Sequence, residues 1–402
     1  MTKARTIGDL IDSGGDVKSS ALDNVPASND ASALTTGTVD NARISLDANE
    51  IPNLDTAKIT TGTFADARLS NQHKVVKSSS APSSPQEGDL WYDTTNDVIK
   101  VYNGTSFDQL SNVVFEATGG TQTSYSGYKV ATFTSSGTFT PNMAGDVDVL
   151  VVGGGGGGGS GRGGGGGAGG MVYRTGLSVT AQAYTITIGA GGDGSTEHNT
   201  DPPTNGGDTV AFSVTAKGGG AGGSGVTGTT SISIGKTGGS GGGTTHGADG
   251  AIASNQGTFS GWTSKGNAGG NGNSQDNESA GGGGGAGAAG QAGDASGNGG
   301  DGGIGFQNDY RTGSNQYYAG GGGAGFGADA GATSGNGGNG GGGNGPTGSA
   351  TTATGNATAG TANTGGGGGG GVYDAGGGSG FSSPYTHGKA GGSGIVVIRW
   401  AV

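Results

Sequence analysis

Cysteine is absent from this chain of 402 residues, and proline and large apolar residues are scarce. Without cysteine the chain has no disulfide framework and no thiolate to serve as a metal ligand or nucleophile. Only 9 residues are proline, which excludes a collagen triple helix because that structure needs abundant proline and strictly periodic glycine. Hydrophobic residues make up 29% of the chain, too few to spread an ordinary apolar core over its whole length.

Positive charge is also in short supply, with 18 basic against 30 acidic residues and a formal net charge of −12. Affinity for nucleic acids rests on lysine and arginine that neutralise phosphates, so we expect no nucleic-acid partner. The residues after Lys3 and Arg5 lack the apolar segment of a signal peptide, and no stretch has the length of a transmembrane helix. We therefore expect no insertion into a membrane.

Glycine is the residue in excess, at 103 of 402 positions, several times the average of roughly 7%. The densest run, 153–170, directly follows the apolar pattern VDVLVV at 147–152. One interpretation is a disordered linker, which such a composition favours. The other is a bundle of polyglycine-II helices, extended threefold helices whose backbone groups pair between neighbours because no side chain keeps them apart. In that bundle the non-glycine interruptions are the turns.

Short β-strand patterns frame the glycine-rich region, at about 128–152, 183–189, 209–216 and 395–402. The last pattern, IVVIRW, lies beyond the most glycine-dense part of the chain and is as strongly β as VDVLVV. We therefore expect it to pair back onto the early strands. The predicted fold class is mainly β and irregular with little α-helix, and residues 113–402 form a glycine-rich head in which strands frame the polyglycine-II bundle.

An internal repeat marks the N-terminal part of the chain. LTTGTVDNARIS at 34–45 recurs as ITTGTFADARLS at 59–70. One copy offers too few apolar side chains to form a core, so its apolar stripe must be covered by another chain. The repeat predicts a parallel homo-oligomeric stalk over 21–77, for which we expect a trimer, and the alternative is a polar linker with an accidental repeat. The stalk contacts are expected from Leu34, Val39, Ile44, Ile59, Phe64 and Leu69.

Residues 78–112 change in character to strand-forming residues separated by Asn, Asp and Gly. DLWYD and VIKVY flank the turn TTND, which predicts a small β-meander. Large aromatics in so small a unit are needed for burial. We therefore expect a minimal core, rather than a ligand site, from Trp91, Tyr92, Ile99, Val101, Tyr102 and Phe107.

These segments resemble parts of bacteriophage tail fibres. The LTTGTVDNARIS repeats resemble shaft repeats, and GDLWYDTTNDVIKVYNGTSF resembles a small β module common in phage tail proteins. FTSSGTFTPNMAGDVDVLVVGGGGGGG, together with the terminal GGSGIVVIRW, resembles the glycine-rich domain of phage tail fibres and adhesins. RTIGDLIDSGGDVKSSALDNV is similar to the starts of fibre proteins from marine and cyanobacterial phages.

The resemblance implies an extracellular virion fibre. Residues 1–20 would be the attachment end, in contact with tail, baseplate or adaptor proteins, and the head would recognise the host with polyglycine-II packing inside it. The glycine segments here carry many Ala, Asn, Thr and Ser residues. Individual helices are therefore expected to be shorter or less regular than in the best-formed adhesins.

Catalytic and metal-binding patterns are weak. Gly238–Gly242 matches G-x-S-x-G, but that motif needs a strand–turn–helix elbow, and KTGGSGGGTTH offers no helix. The histidines are scattered without the spacing of a zinc site, at His73, His198, His246 and His387. We expect no enzymatic activity, no cofactor and no metal site within one chain. A metal ion on the axis between chains would leave no trace in the sequence.

Binding residues are expected in the segments that interrupt the glycine runs, because rigid frameworks usually carry recognition in their loops. Aromatic rings there can stack on sugars or protein side chains, and polar groups can bind hydroxyls. For each aromatic the alternative is that it caps the bundle or is buried between chains. The candidates are Trp262, Tyr310, Arg311, Asn315, Tyr317, Tyr318, Tyr373 and Tyr385.

The expected function is host recognition and adsorption by a homotrimeric tail fibre that binds a bacterial surface glycan or an outer-membrane protein. Several weak sites on one virion would gain avidity through effective concentration. Two alternatives stay open: a purely structural fibre or spike component of the virion, and a bacterial surface adhesin.

Overall fold

The computed structural model describes residues 13–14, 75–110, 114–196, 201–225, 232–245, 250–273, 278–327, 331–348, 356–372 and 387–402. The chain divides into two compact units, Met1–Ser111 and Asn112–Val402. The described residues form 17 strands and no α-helix, so the prediction of a mainly β protein is confirmed. No helix among them could cross a membrane. The predicted attachment end, apart from Ser13 and Gly14, lies outside the described residues, and so do all six predicted stalk contacts.

The first unit contains one four-stranded sheet, in chain order, of β1 (Val75–Ser78), β2 (Leu90–Asp93), β3 (Val98–Tyr102) and β4 (Phe107–Gln109). Strands β1 and β2 are parallel, and the other pairs are antiparallel. The TTND turn connects β2 and β3, as the sequence pattern predicts. The sheet begins before the predicted module boundary at residue 78.

Trp91 is the buried centre of this small sheet. Its ring meets that of Phe107 edge-on at 5.3 Å between centroids, and Lys100 Nζ lies 4.6 Å from the Trp91 ring centroid. The prediction that Ile99 belongs to the core is wrong, because its side chain is 47% exposed. Ile99 pairs with Tyr92 across the strands. That pair lies on the face opposite to Trp91, since successive residues of a strand alternate between faces.

The second unit is built on a six-stranded sheet. Its strand order is β14-β10-β9-β17-β7-β6. Three smaller sheets accompany it, with orders β11-β8-β5, β12-β13 and β15-β16. The strands are β5 (Ala117–Thr118), β6 (Thr121–Tyr125), β7 (Tyr128–Phe133), β8 (Gly137–Pro141), β9 (Gly145–Val152), β10 (Met171–Val179), β11 (Tyr184–Ile186), β12 (Thr209–Ala211), β13 (Val214–Ala216), β14 (Thr263–Lys265), β15 (Phe306–Asn308), β16 (Gln316–Tyr318) and β17 (Ile395–Ala401).

The C-terminal strand β17 closes the glycine-rich region by inserting between two early strands. Ile395 pairs with Val152 of β9, and Val396 pairs with Phe133 of β7, both in antiparallel register. The prediction that the last strand pairs back onto the early strands is therefore confirmed. The two ends of the glycine-rich region, at Val152 and Ile395, are held side by side.

The central strands of the six-stranded sheet, β9 and β17, are buried on both faces. Val149, Val151 and Ile398 belong to the apolar cluster on one face, while Leu150 and Val397 belong to the cluster on the other. A strand buried on both faces carries a continuous apolar run rather than an alternating one. This accounts for VDVLVV and IVVIRW, and it concentrates the limited apolar content of the unit around one sheet.

The first glycine segment, 153–159, is buried throughout and is hydrogen-bonded to other segments. Its amides donate to carbonyls at 2.8–3.0 Å. Successive amides donate to three different segments in turn, and the same segment recurs at every third residue. The amides of Gly153, Gly156 and Gly159 donate to residues 164–170. Those of Gly154 and Gly157 donate to 204–207, and those of Gly155 and Gly158 donate to 389–392. This spacing matches a structure with three residues per turn, and it excludes the linker interpretation for these residues.

The carbonyls of the same segment follow the same three-residue repeat. They accept from three further segments, 192–195, 219–222 and 368–371, so residues 153–159 have six hydrogen-bonded neighbours. The following segment, 163–170, also has six, formed by 153–159, 217–223, 240–243, 281–284, 322–325 and 365–371. We call this network the glycine lattice; its described segments are 153–159, 163–170, 189–195, 204–207, 217–225, 232–245, 267–273, 279–293, 299–305, 319–327, 335–345, 356–372 and 387–394.

The spacing within the glycine lattice leaves no room for side chains at its centre. A Cβ added to Gly165 would overlap the carbonyl of Gly322, and one added to Gly156 would overlap the carbonyl of Gly220. Both obstacles are backbone atoms that cannot rotate away. Ala168, which interrupts the glycine run, is accommodated because its methyl group joins the apolar cluster beside the sheet.

The glycine lattice has two distinct ends. At the sheet end, β9 passes directly into Gly153, and the chain enters the unit nearby, where Phe115 packs on Trp400 at 5.9 Å between ring centroids. At the opposite end, which we call the loop end, Gly161 and Arg162 adopt left-handed φ angles of 60° and 58° in the turn between the first two segments.

The substitution Gly165→Ala tests the close approach of backbones in the glycine lattice. The added Cβ would have to push two neighbouring backbones apart, and overpacking of this kind costs about 1–3 kcal/mol of stability. Gly257→Ala is the matched control, because a Cβ there meets open space and the backbone is not left-handed. Denaturant unfolding of the full chain should show a lower midpoint for Gly165→Ala and an unchanged or slightly higher one for Gly257→Ala. Equal midpoints for the two variants would contradict this account of the packing.

Candidate functional site

The β15–β16 hairpin carries most of the binding residues that the sequence predicts. Phe306 pairs with Tyr318 across the strands, and Gln307 pairs with Tyr317. Because adjacent residues of a strand face opposite sides, the Tyr318 ring points inward and the Tyr317 ring points outward. Their exposed fractions are accordingly 2% and 39%.

Arg399 of β17 ties the hairpin loop, residues 309–315, to the six-stranded sheet. Its Nε donates to Asp148 Oδ2 at 2.8 Å, and its Nη1 donates to Asp309 Oδ2 at 3.1 Å and to the Tyr125 hydroxyl at 2.9 Å. The guanidinium also lies 4.3 Å from the centroid of the Tyr310 ring. One cation thus joins a sheet strand to the start of the loop.

The charge on Arg399 is secured by its partners. Burial works to lower the pKa of Arg399, but the hydrogen bonds with Asp148 and Tyr125 outweigh it, so the pKa stands above its usual value. The guanidinium therefore stays charged wherever the protein is folded. The cation of this anchor is therefore retained wherever the protein is folded.

Tyr310 is part of this anchor. Its side chain is buried, and its hydroxyl shares a 2.7 Å hydrogen bond with Thr175 Oγ1. The Tyr125 hydroxyl donates to the Tyr310 carbonyl at 3.1 Å. Burial raises the pKa of Tyr310, and burial likewise raises that of Tyr318. The two rings hold the hairpin on the sheet and present no face to solvent.

The outward face of the hairpin forms an open groove of about 460 Å³. We call it the hairpin groove; it is lined by Gly287, Ile304, Phe306, Gln307, Asn315 and Tyr317. Ile304 is 48% exposed and adds apolar surface to the groove. An aliphatic side chain, two aromatic rings and two amides, which both donate and accept hydrogen bonds, match the mixed faces of a sugar.

Arg311 lies on the other side of the same loop, in a second groove of about 340 Å³. We call this the threonine groove; its lining includes Thr121, Thr123, Tyr125, Thr132, Arg311 and Thr312. The hairpin loop therefore separates two grooves of different chemistry. Asn315 and Tyr317 belong to one, and Arg311 belongs to the other.

The remaining predicted binding residues lie elsewhere. Trp262 is half-buried against the apolar cluster that contains Val149 and Ile398, and Tyr373 and Tyr385 lie outside the described residues. Ser240, the centre of the G-x-S-x-G match, is fully buried, and its amide donates to the Ala168 carbonyl within the glycine lattice.

Sequence reasoning missed Ile304, Gln307 and the threonines of β6 and β7 as groove residues. The available signal was the pair of strand patterns FQN and QYY around a turn. Alternation in such a hairpin places Gln307 and Tyr317 together on one face.

Residues 134–401 match the protein family described as "Glycine-rich domain". The matched range runs from the turn before β8 into the last strand, and so includes the glycine lattice, the hairpin and β17. A comparison with curated proteins finds no match.

Alkaline pH should destabilise the protein through its buried tyrosines. The pKa of Tyr318 is raised by burial in the folded state, so its contribution to stability is complete below about pH 10, the ordinary pKa of tyrosine. It is lost as pH rises further, because the unfolded chain then releases a proton that the folded chain retains. The free energy of unfolding of Tyr318→Phe should therefore fall less steeply above about pH 10 than that of the unchanged protein. Tyr317→Phe controls for loss of an exposed hydroxyl, and parallel curves for all three proteins would contradict the assignment.

Proposed function

This chain belongs to the glycine-rich domain family, and we propose that it is a non-enzymatic attachment protein of the bacteriophage tail-fibre type. On this proposal its head binds a glycan on the bacterial surface, and the hairpin groove is one contact for that glycan. The observation that carries the proposal is the separation of an interior made mainly of glycine backbone from exposed side chains held on one anchored hairpin.

The glycine lattice suits an attachment role because it is a rigid scaffold whose central segments offer few side chains that could bind a ligand. Its central segments are buried and present backbone only to one another. Residues that recognise a ligand must then stand on the connections, as they do on other rigid scaffolds. The hairpin, placed between the lattice segments 299–305 and 319–327, is such a connection. It carries Tyr317 on its outer face, and Ile304 at the end of the preceding segment lines the same groove.

We further propose that the lattice segments are polyglycine-II helices. The three-residue repeat of hydrogen-bond partners and the six neighbours around 153–159 support this assignment. Ordering glycine costs roughly 0.5–1 kcal/mol more per residue than ordering alanine. Lateral hydrogen bonds at about 0.5–1.5 kcal/mol each offset that cost.

The proposed assembly is a homotrimeric fibre on the outside of the virion. Its support is the repeat at 34–45 and 59–70, which has too few apolar residues to fold as one chain. Residues 1–20 would contact tail, baseplate or adaptor proteins. Several copies of a weak head site would then act together through effective concentration.

Binding of labelled full-length protein to bacteria of several strains tests the proposal. Tyr317→Ala should lower apparent affinity at least about tenfold, since loss of an aromatic anchor costs on the order of 2 kcal/mol. Ile304→Ala should lower it as well. Ile99→Ala is the matched control, because Ile99 and Ile304 are exposed to 47% and 48% and the former lies in the other unit.

Three outcomes of this experiment are informative. Saturable binding that Tyr317→Ala weakens and Ile99→Ala leaves unchanged supports the hairpin groove. Saturable binding that is lost only in Tyr385→Ala moves the contact to residues 373–386. A folded protein that binds no strain contradicts the attachment role and favours a structural component of the virion.

A further inference from the structure

The threonine groove has a composition that sets it apart from the rest of the surface. Hydroxyl groups line it from the edge strand β6 and its neighbour β7, and the turn residue Thr312 adds another. Arg311 supplies a guanidinium. None of the described residues that line this groove is acidic, although the chain as a whole has a net charge of −12.

The threonines of the groove lie on a face of the six-stranded sheet that is buried near its centre and open to solvent on the edge strand β6. Thr123 pairs with Val130 and Thr121 pairs with Thr132, so all four residues share one face. Val130 is completely buried in the apolar cluster under the hairpin, whereas Thr121 and Thr123 are exposed. Thr121 and Thr123 thus replace apolar residues where the face is open to solvent, while Thr132 beside them is buried.

The threonine hydroxyls of the groove can still form hydrogen bonds with a ligand. Within the described part of the chain, no hydrogen bond is made by the hydroxyl of Thr121, Thr123 or Thr132. Tyr125 differs, because its hydroxyl is occupied by Arg399 and the Tyr310 carbonyl. The free capacity is therefore concentrated in the threonines that flank Arg311.

Arg311 lines the groove, and no acidic side chain among the described residues forms a salt bridge with it. It lies beside the Tyr318 hydroxyl, and its positive charge opposes the rise that burial causes in the pKa of Tyr318. Asp309, the carboxylate of the same loop, pairs with Arg399 instead. A guanidinium held in this way offers a planar fork of donors that fits a carboxylate or a phosphate group.

We propose that the threonine groove binds the anionic group of an acidic sugar, with Arg311 on the carboxylate or phosphate and Thr121, Thr123 and Thr132 on neighbouring hydroxyls. This rests on the proposed function in that it names the class of glycan: an acidic one, held on both sides of the hairpin loop. The hairpin groove stacks on a neutral face of the glycan, and the threonine groove selects its charge.

Titration of the full-length protein with glucuronate, glucose 6-phosphate and glucose, followed by ligand-observed NMR, tests this assignment. Glucuronate or glucose 6-phosphate should bind saturably and more weakly as salt is raised, because salt screens the ion pair. Glucose should bind at least about tenfold more weakly, the loss expected when a charge-assisted hydrogen bond is missing. The two anions distinguish a carboxylate site from a phosphate site.

Variants locate the binding. Arg311→Met should abolish the preference for the anion, and Arg311→Lys should weaken it because lysine lacks the planar fork. Arg174→Met, which removes the same charge from a half-buried position on β10, should change nothing. Thr123→Val removes one hydroxyl, keeps a β-branched residue on an exposed strand and should weaken anion binding. This variant provides the test if Arg311→Met does not fold.

Binding of both anions no tighter than that of glucose, or anion binding that survives both Arg311→Met and Thr123→Val, would overturn the proposal. These outcomes are separable from failure of the attachment role. Cell binding that depends on Tyr317 but not on Arg311 would leave that role standing and remove the acidic-sugar assignment. Anion binding without any cell binding would support the acidic-sugar assignment and contradict the attachment role.

Discussion

The sideways hydrogen bond between backbones of neighbouring glycine segments is the interaction on which the rest of the second unit depends. An extended threefold helix leaves its own N–H and C=O groups unpaired, so each segment needs neighbours on all sides. Residues 153–159 find six of them. A side chain at these positions would meet a carbonyl, and this explains why composition is so restricted where the lattice is densest.

The six-stranded sheet supplies what the glycine lattice lacks. Glycine offers no apolar surface, so the apolar burial of this unit is gathered at the sheet, where β9 and β17 are covered on both faces. These two strands also fix the start and end of the lattice, because Val152 pairs with Ile395. Arg399 of β17 forms salt bridges with Asp148 of β9 and with Asp309, and so connects this sheet to the hairpin that separates the two grooves.

Local patterns in the sequence were enough to predict the framing strands, the return of IVVIRW and a packed glycine region. The longest strand, β10, was missed, although MVYRTGLSV contains several strand-forming residues. Tyr310 and Tyr318 could not be separated from Tyr317 by composition, because burial depends on which face of the hairpin meets the sheet. The neighbours of each glycine segment were also beyond prediction, since glycine carries no side chain to specify a partner.

Hydrogen–deuterium exchange of the amides in 153–170 tests the central claim most directly. In the glycine lattice these amides donate to buried carbonyls, so they should exchange as slowly as those of β9 and β17, through opening of the whole unit. A linker of the same composition would exchange at the rate of an unfolded chain. Rapid exchange of 153–170 beside a protected β9 would contradict the account.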